Sequence, residues 1–343
     1  MRFDFVIGNP PYQEDNENSV RKAPVYNIFM DAAFEVGNIV ELITPGRFLF
    51  DAGQTPKSWN EKMLNDEHFI VLEYESDASR IFAHTEIKGG VIVSLRNRNK
   101  NFGKISVFTP YNELNHILKK VKNLNKNAHY MDSIVSQRGM YRFTETFFCD
   151  YPYARECVGK GTGNMIVSNI LEKVPDVFED EIGNSSEKYY SILGRVRGKR
   201  IYKYIKAKYI INNDYIDKYK LFFPEANGNG EFGEILTLPE IGGKGECSTD
   251  TFINIGLFDN GDEAFHLLNY IKTKFLRALL GVKKATQHSP KSVWSMIPLQ
   301  DFTATSDIDW SQSIANIDKQ LYKKYNLSDE EITFIETHVK EME

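Results

Sequence analysis

The feature that most constrains this chain is a six-residue apolar-rich run near its start, Phe3–Gly8 (FDFVIG), stopped by Asn9-Pro10-Pro11-Tyr12. Two successive prolines fix φ and remove two backbone donors, so neither a helix nor a paired strand can run through them. The run therefore predicts a buried strand that ends in a rigid loop. Downstream, Tyr26–Val36 places Ile28, Phe29, Ala32, Ala33 and Val36 at helical spacing. Ile39–Thr44 predicts a second strand, closed by Pro45-Gly46, and Phe69–Tyr74 and Gly90–Leu95 predict two more. Strand, helix and strand followed by further strands point to part of a doubly wound α/β sheet. Such sheets take their ligands at the C-terminal ends of the strands, which is where Asn9–Tyr12 falls.

Composition narrows the rest. With 343 residues, 41% hydrophobic and 26% charged, the chain is an ordinary globular one, which excludes disordered, collagen-like and coiled-coil classes. The length predicts about two domains, and the texture changes near residue 100. Asn112–Leu124 reads as a helix and Asn125-Lys126-Asn127 as a connector. Tyr189–Asn213 reads as basic β structure, and Asn227–Gly230 and Gly242–Gly245 as tight turns. Asp262–Lys284 predicts one long helix with Phe265, Leu268, Ile271, Phe275 and Leu279 on its apolar face, and Ser328–Glu331 is a capping box. The expected division is thus 1–100 and 101–343. A net charge of −5 argues against wholesale polyanion binding but leaves room for a local basic groove. Three scattered cysteines (Cys149, Cys157, Cys247) exclude a disulfide scaffold and predict a reducing, cytoplasmic compartment. No apolar run reaches the roughly 18 residues of a membrane span, and the opening residues do not read as a signal peptide.

The chemistry lies in the loop. Taken alone, Asn9–Tyr12 is a polar turn. At the end of a strand, it could serve an exocyclic amino group on a base, whose lone pair is delocalised into the ring. Two acceptors aimed at the two N–H bonds, the Asn9 side-chain oxygen and the Pro10 carbonyl, would draw that nitrogen toward tetrahedral geometry. Pro11 stiffens the array and Tyr12 offers a flat face for stacking. Acceptors that stabilise positive charge growing on nitrogen act mainly in the transition state.

FDFVIGNPPYQ resembles the catalytic motif of adenine-N6 DNA methyltransferases that use S-adenosylmethionine. Ile39–Leu49 and Ile81–Leu95 resemble that family's next strand and its closing strands. Tyr219–Gly233 and Tyr270–Gln287 are similar to the target-recognition region of type IIG-like restriction-modification proteins. The resemblance implies a partial doubly wound, Rossmann-like methyltransferase sheet over 1–100, followed by an α+β target-recognition domain over 101–343. It also implies Asn9, Pro10, Pro11 and Tyr12 as the catalytic loop, S-adenosylmethionine as cofactor, duplex DNA as partner and a flipped adenine as substrate.

In that family the cofactor-binding strand and glycine turn precede the catalytic loop, whereas here eight residues precede it. Most of the cofactor site is therefore expected on an upstream domain or a partner chain, and Phe3–Gly8 is expected to present an apolar edge. Val158–Asn164 (VGKGTGN) superficially resembles a displaced glycine turn, but no apolar strand leads into it, and a loop of the recognition domain is the favoured reading. Two other functions remain open: a DNA-specificity subunit inert by itself, and a methyltransferase acting on RNA or on protein glutamine.

Arg195, Arg197, Lys199, Arg200, Lys203, Lys206 and Lys208 place seven cations within fourteen residues, interleaved with Tyr202 and Tyr204. A solvated strand face is the plain reading; beside a base-modifying loop, phosphate contact gains ground. Lys272, Lys274, Arg277, Lys283, Lys284 and Lys291, with Gln287, are expected to flank the same groove. Asp77…Glu86-Ile-Lys88 has the look of a metal-dependent nuclease core, as restriction proteins often carry, but such short strings arise by chance and a salt-bridged surface turn is the favoured reading. The histidines show no ligand spacing, so no metal site is expected. Trp59, Trp294 and Trp310 read as core anchors.

Overall fold

Alternation along the first strands decides the architecture of the N-terminal unit. The computed structural model describes residues 2–13, 23–50, 54–82, 87, 90–125, 129–182, 186–284 and 286–342. It divides into two units, Met1–Asn115 and His116–Glu343, where the change of texture suggests a boundary near 100. The first unit runs β1 (Phe3–Gly8), α1 (Tyr26–Val36), β2 (Gly37–Pro45), α2 (Lys57–Asn65), β3 (Phe69–Glu75) and β4 (Val91–Asn97). The strands form one sheet in the order β1-β2-β4-β3, with β1 and β2 parallel and β4 antiparallel to both its neighbours.

Register separates the faces of this sheet. Val6, Val40, Arg96 and Phe69 align across the four strands. On this side lie Met30 and Phe34 of α1 and Trp59 and Met63 of α2, which close the core. The Arg96 guanidinium is neutralised there by Asp66 at 2.6 Å and lies over the Phe34 ring. The adjacent row is Ile7, Glu41, Leu95 and Ile70, on the opposite face and only partly covered. Among the described residues β1 hydrogen-bonds β2 alone, and Phe3, Phe5 and Ile7 are 56%, 68% and 78% exposed. The apolar edge expected from the sequence is present. Helix α1 departs from expectation: it buries Tyr26, Asn27, Met30 and Phe34, while the anticipated stripe of Ile28, Phe29 and Val36 faces outward.

Helix α3 (Asn112–Leu124) spans the division. The second unit then runs α4 (Glu145–Asp150), α5 (Ala154–Val158), α6 (Ile170–Lys173), β5 (Tyr189–Val196), β6 (Lys199–Lys206), β7 (Tyr219–Pro224), β8 (Glu240–Gly242), β9 (Glu246–Ser248) and β10 (Phe252–Phe258). It closes with α7 (Gly261–Lys272), α8 (Lys274–Gly281), α9 (Ile314–Lys324) and α10 (Asp329–His338). Two three-stranded sheets, β10-β7-β8 and β6-β5-β9, make it a mixed α/β body. Its core packs Phe143, Phe147, Ile170, Ile192, Leu193 and Ile205 with no exposed surface.

The single long helix expected over Asp262–Lys284 is two. Thr273 takes an extended ψ of 146°, ends α7 and accepts the Leu276 amide as N-cap of α8. A threonine hydroxyl competing for backbone amides is the physical reason for the break. Phe265, assigned to the buried face, is 49% exposed, whereas Ile271, Phe275 and Leu279 are buried. The capping box at Ser328 and Glu331 opens α10 as expected, and Trp59, Trp294 and Trp310 are core residues.

Candidate catalytic loop and nucleic-acid interface

Asn9–Tyr12 leaves the C-terminal end of β1, which places it at the ligand-bearing end of the parallel β1–β2 pair. Asn9 and Pro11 are exposed, and Pro10 and Tyr12 half-buried. The loop is anchored by Tyr12: its carbonyl accepts the Val25 amide at 3.2 Å, just before α1, and its ring meets Phe82 edge-on with centroids 6.4 Å apart. Burial pushes the Tyr12 phenol up to about 12, so it stays neutral. Its hydroxyl has no hydrogen-bond partner among the described residues, and neither do the buried Asn27 Oδ1 on α1 and Thr44 Oγ1 at the end of β2. Asn9 is thus exposed in a loop that Tyr12 anchors.

No described strand–glycine turn–helix stands beside the Asn9–Tyr12 loop. Val158–Asn164 does not supply one: it follows helix α5, and the next helix, α6, starts only at Ile170. The order required of a cofactor fingerprint is absent there.

The basic cluster resolves into two classes. Arg200 is paired with Glu240 at 2.9 Å, Lys208 with Asp150 at 3.2 Å, Lys203 with Asp180 and Lys206 with Glu187. These partners come from elsewhere in the chain, so no local signal reveals them. Arg195, Arg197 and Lys199 have no carboxylate partner among the described residues. They surround the tip of the β5–β6 hairpin, where Val196 pairs with Lys199. The turn residues Arg197 (φ 49°) and Gly198 (φ 80°) are both left-handed, as a two-residue hairpin turn requires. Arg195 also donates to the Gly198 carbonyl at 3.2 Å.

The second basic set is corrected by burial. Arg277 is 2% exposed and donates to the Glu234 and Lys272 carbonyls, and Lys284 is buried against Glu234. Lys274 is held by Glu336 at 2.5 Å. Arg277 and Lys284 are internal struts and cannot reach a strand of DNA; of the block, Lys283, Gln287 and Lys291 stay exposed. In the nuclease-like string, the Asp77 carboxylate accepts from the Ser79 amide and hydroxyl and pairs with Arg80. Glu86 and Lys88 lie outside the described residues, as does His84. Among the described residues no three His, Cys, Asp or Glu side chains are grouped to hold a metal ion. No described helix is long and apolar enough to cross a membrane.

Comparison with known proteins bears on the first unit above all. Residues 1–82 match the Eco57I restriction-modification methylase family. The matched stretch contains the whole Asn9–Tyr12 loop, α1, β2 and β3. Over 117 residues the chain is 25% identical to a protein of Mycoplasma pneumoniae described as an uncharacterized adenine-specific methylase, covering 33% of this chain and 28% of that one. Among solved structures, 93% of the chain aligns with 48% of the type IIG restriction endonuclease BpuSI, at 10% identity and a TM-score of 0.33. The chain thus spans less than half of either relative.

Proposed function

We propose that this chain carries the catalytic loop and the DNA-recognition region of an enzyme that methylates the N6 amino group of adenine in duplex DNA, as part of a restriction-modification system. The observation that carries the reading is the exposed Asn9, followed by the half-buried Pro10, at the C-terminal end of β1, inside the residues matched to the methylase family. In this reading the sheet is one half of a doubly wound methyltransferase sheet. The flipped adenine stacks near Tyr12 while Asn9 Oδ1 and the Pro10 carbonyl accept its two N–H bonds. Both acceptors stabilise the positive charge that develops as the nitrogen becomes tetrahedral, and Pro10 and Pro11 keep them from relaxing away. S-adenosylmethionine is the methyl donor this family chemistry calls for. Its binding half belongs to polypeptide not described here, upstream or on a partner chain, which would add a strand beside β1. The tip of the β5–β6 hairpin, with Arg195, Arg197 and Lys199, would contact the duplex.

Methyl incorporation into duplex DNA tests this, with the chain combined with the polypeptide that completes the cofactor side. Asn9→Ala should lower transfer by ~10²–10³-fold, the scale of losing one transition-state hydrogen-bonding group. DNA affinity should stay within about threefold, because binding rests on phosphate contacts elsewhere. Equal losses in transfer and affinity would defeat the catalytic assignment of the loop. A specificity subunit, inert without its partner, is the second reading. The exposed edge of β1 favours it, and it predicts duplex binding with no methyl transfer by this chain alone.

A further inference from the structure

The glycine-rich loop between α5 and α6 is left without a role once it is excluded as a cofactor turn, yet its construction is unusual. Gly159, Gly161, Gly163 and Asn164 have φ of 86°, 83°, 61° and 64°, while Lys160 and Thr162 between them stay on the negative side. Positive φ at four of these six residues keeps the loop out of any helix or strand ladder, and runs of free backbone N–H groups in turns of this sort are where anions bind. Crowding demands glycine only at Gly163, where a Cβ would come within 2.3 Å of Arg142 Nη1. A Cβ at Gly161 would meet nothing within 4 Å, and one at Gly159 only Thr162 Cγ2 at 3.8 Å. They are demanded by the backbone conformation, and they leave the approach to the amides open.

Polarity follows the same plan. The carbonyls of the loop are engaged inward. Gly159 O accepts the Thr162 hydroxyl at 3.0 Å, Thr162 O the Met165 amide, Gly163 O the Arg142 guanidinium, and Asn164 O the Phe143 amide at 2.8 Å. The amides of Lys160 through Asn164 donate to no described group. Beside them lies a concavity of about 770 Å³ lined by Phe148, Arg155, Glu156, Lys160 and Thr162. Arg155 lies over the Phe148 ring at 4.5 Å and is paired with Glu145, whereas Lys160 and Arg142 have no carboxylate partner among the described residues. Unengaged amides and the unneutralised Lys160 fit a phosphate, with the Glu156 carboxylate the one opposing charge in the lining, and the volume exceeds what one inorganic ion fills.

We infer that the Gly159–Asn164 loop is a cradle for a phosphodiester of a nucleic-acid strand, a second backbone contact on the recognition unit, separate from the β5–β6 hairpin. The inference rests on the DNA reading. The backbone amides bind the phosphate oxygens, Lys160 supplies charge, and Phe148 walls the space for the adjoining sugar. A cradle of this kind positions the duplex and carries no sequence information itself.

Duplex binding by the whole chain, measured by fluorescence anisotropy between about 50 and about 200 mM salt, tests it. Lys160→Ala should weaken binding several-fold and reduce the slope of log affinity against log salt by about 1, uniformly across sequences. Lys319→Ala, on α9, should change neither. Gly161→Ala, which puts strain on the backbone but removes no charge, should weaken binding without that change in slope. An unchanged slope in Lys160→Ala, with the loss confined to Arg197→Ala, overturns the cradle while the DNA reading stands. No duplex binding by the native chain overturns both. Inorganic phosphate shifting the amide resonances of the loop, with duplex leaving them unmoved, would assign the site to a free phosphate and overturn the strand assignment.

Discussion

The two units bury their apolar residues to different degrees. In the second, Phe147 is fully buried and stacks on Phe143 at 4.0 Å, with Phe148 edge-on at 5.0 Å. In the first, Phe3, Phe5 and Ile7 stand exposed along an edge strand, and Ile28, Phe29 and Val36 face outward from α1. Scattered surface apolar residues need no explanation, but a row along a strand whose outer edge has no partner among the described residues is an invitation to pairing. Both units have a core of their own and both leave large apolar residues exposed, Phe265 at 49% in the second among them; in the first, three such residues lie in a row along β1. The Asn9–Tyr12 loop follows that strand.

The largest expected effect tests that contrast directly. Phe147→Ala should cost ~3–5 kcal/mol in denaturant unfolding, the range for removing a fully buried aromatic ring. Tryptophan fluorescence offers a probe in each unit, since Trp59 lies in the first and Trp294 and Trp310 in the second. The loss should appear in the transition of the second unit; a loss below about 1 kcal/mol would mean that its core is looser than its burial indicates.

Next in size is a pH effect confined to the second unit. Asp318 of α9 is buried, and its carboxylate accepts the Lys274 and Phe275 amides at 3.0 and 2.9 Å, satisfying the start of α8. Burial pushes its carboxyl up to about 6, helped by Glu336 and opposed by those two amides and Arg277. The folded state therefore holds the proton more tightly than the unfolded one. This contribution is fully present below about pH 4, falls as pH rises toward 6 and is level above it. About two units at ~1.4 kcal/mol each make it roughly 3 kcal/mol. Asp318→Asn should flatten this window relative to the native chain. Equal slopes in both proteins would remove Asp318 as the cause.

What the sequence made legible follows from which forces are local. Helix α3 coincides with the expected Asn112–Leu124, the capping box of α10 is read from four residues, and the first four strands fall where apolar runs meet turns. Each depends on near neighbours. The misread features depend on distant ones. The outward stripe of α1 cannot be told from the inward one, because both faces are apolar and only the sheet decides. Arg277 and Lys284 look like surface cations until Glu234, some fifty residues away, draws them inside. In the basic cluster, strand alternation gives no hint of which cations meet Asp150, Asp180, Glu187 and Glu240. Three unneutralised cations out of seven are a property of the fold, not of the charge count. That a loop at Asn9–Tyr12 ends β1 was legible because two successive prolines stop a strand whatever lies far away in the chain.

The smallest expected change in stability sharpens the comparison from the side of the first unit. Ile7 is the most exposed large apolar residue of β1, yet it aligns with Glu41, Leu95 and Ile70 across the sheet. Ile7→Lys should alter unfolding stability by no more than about 0.5 kcal/mol, as expected of a surface position away from buried contacts. A lysine on an edge strand also discourages pairing with another chain. Sedimentation velocity over a concentration series should therefore show less self-association for the variant than for the native chain at equal stability. If Ile7→Lys instead unfolds the unit, the β1 face is already covered in solution and the contrast between the two units disappears. If stability and association both stay unchanged, the edge is inert, and the outward face of α1 is the next surface of this unit to probe.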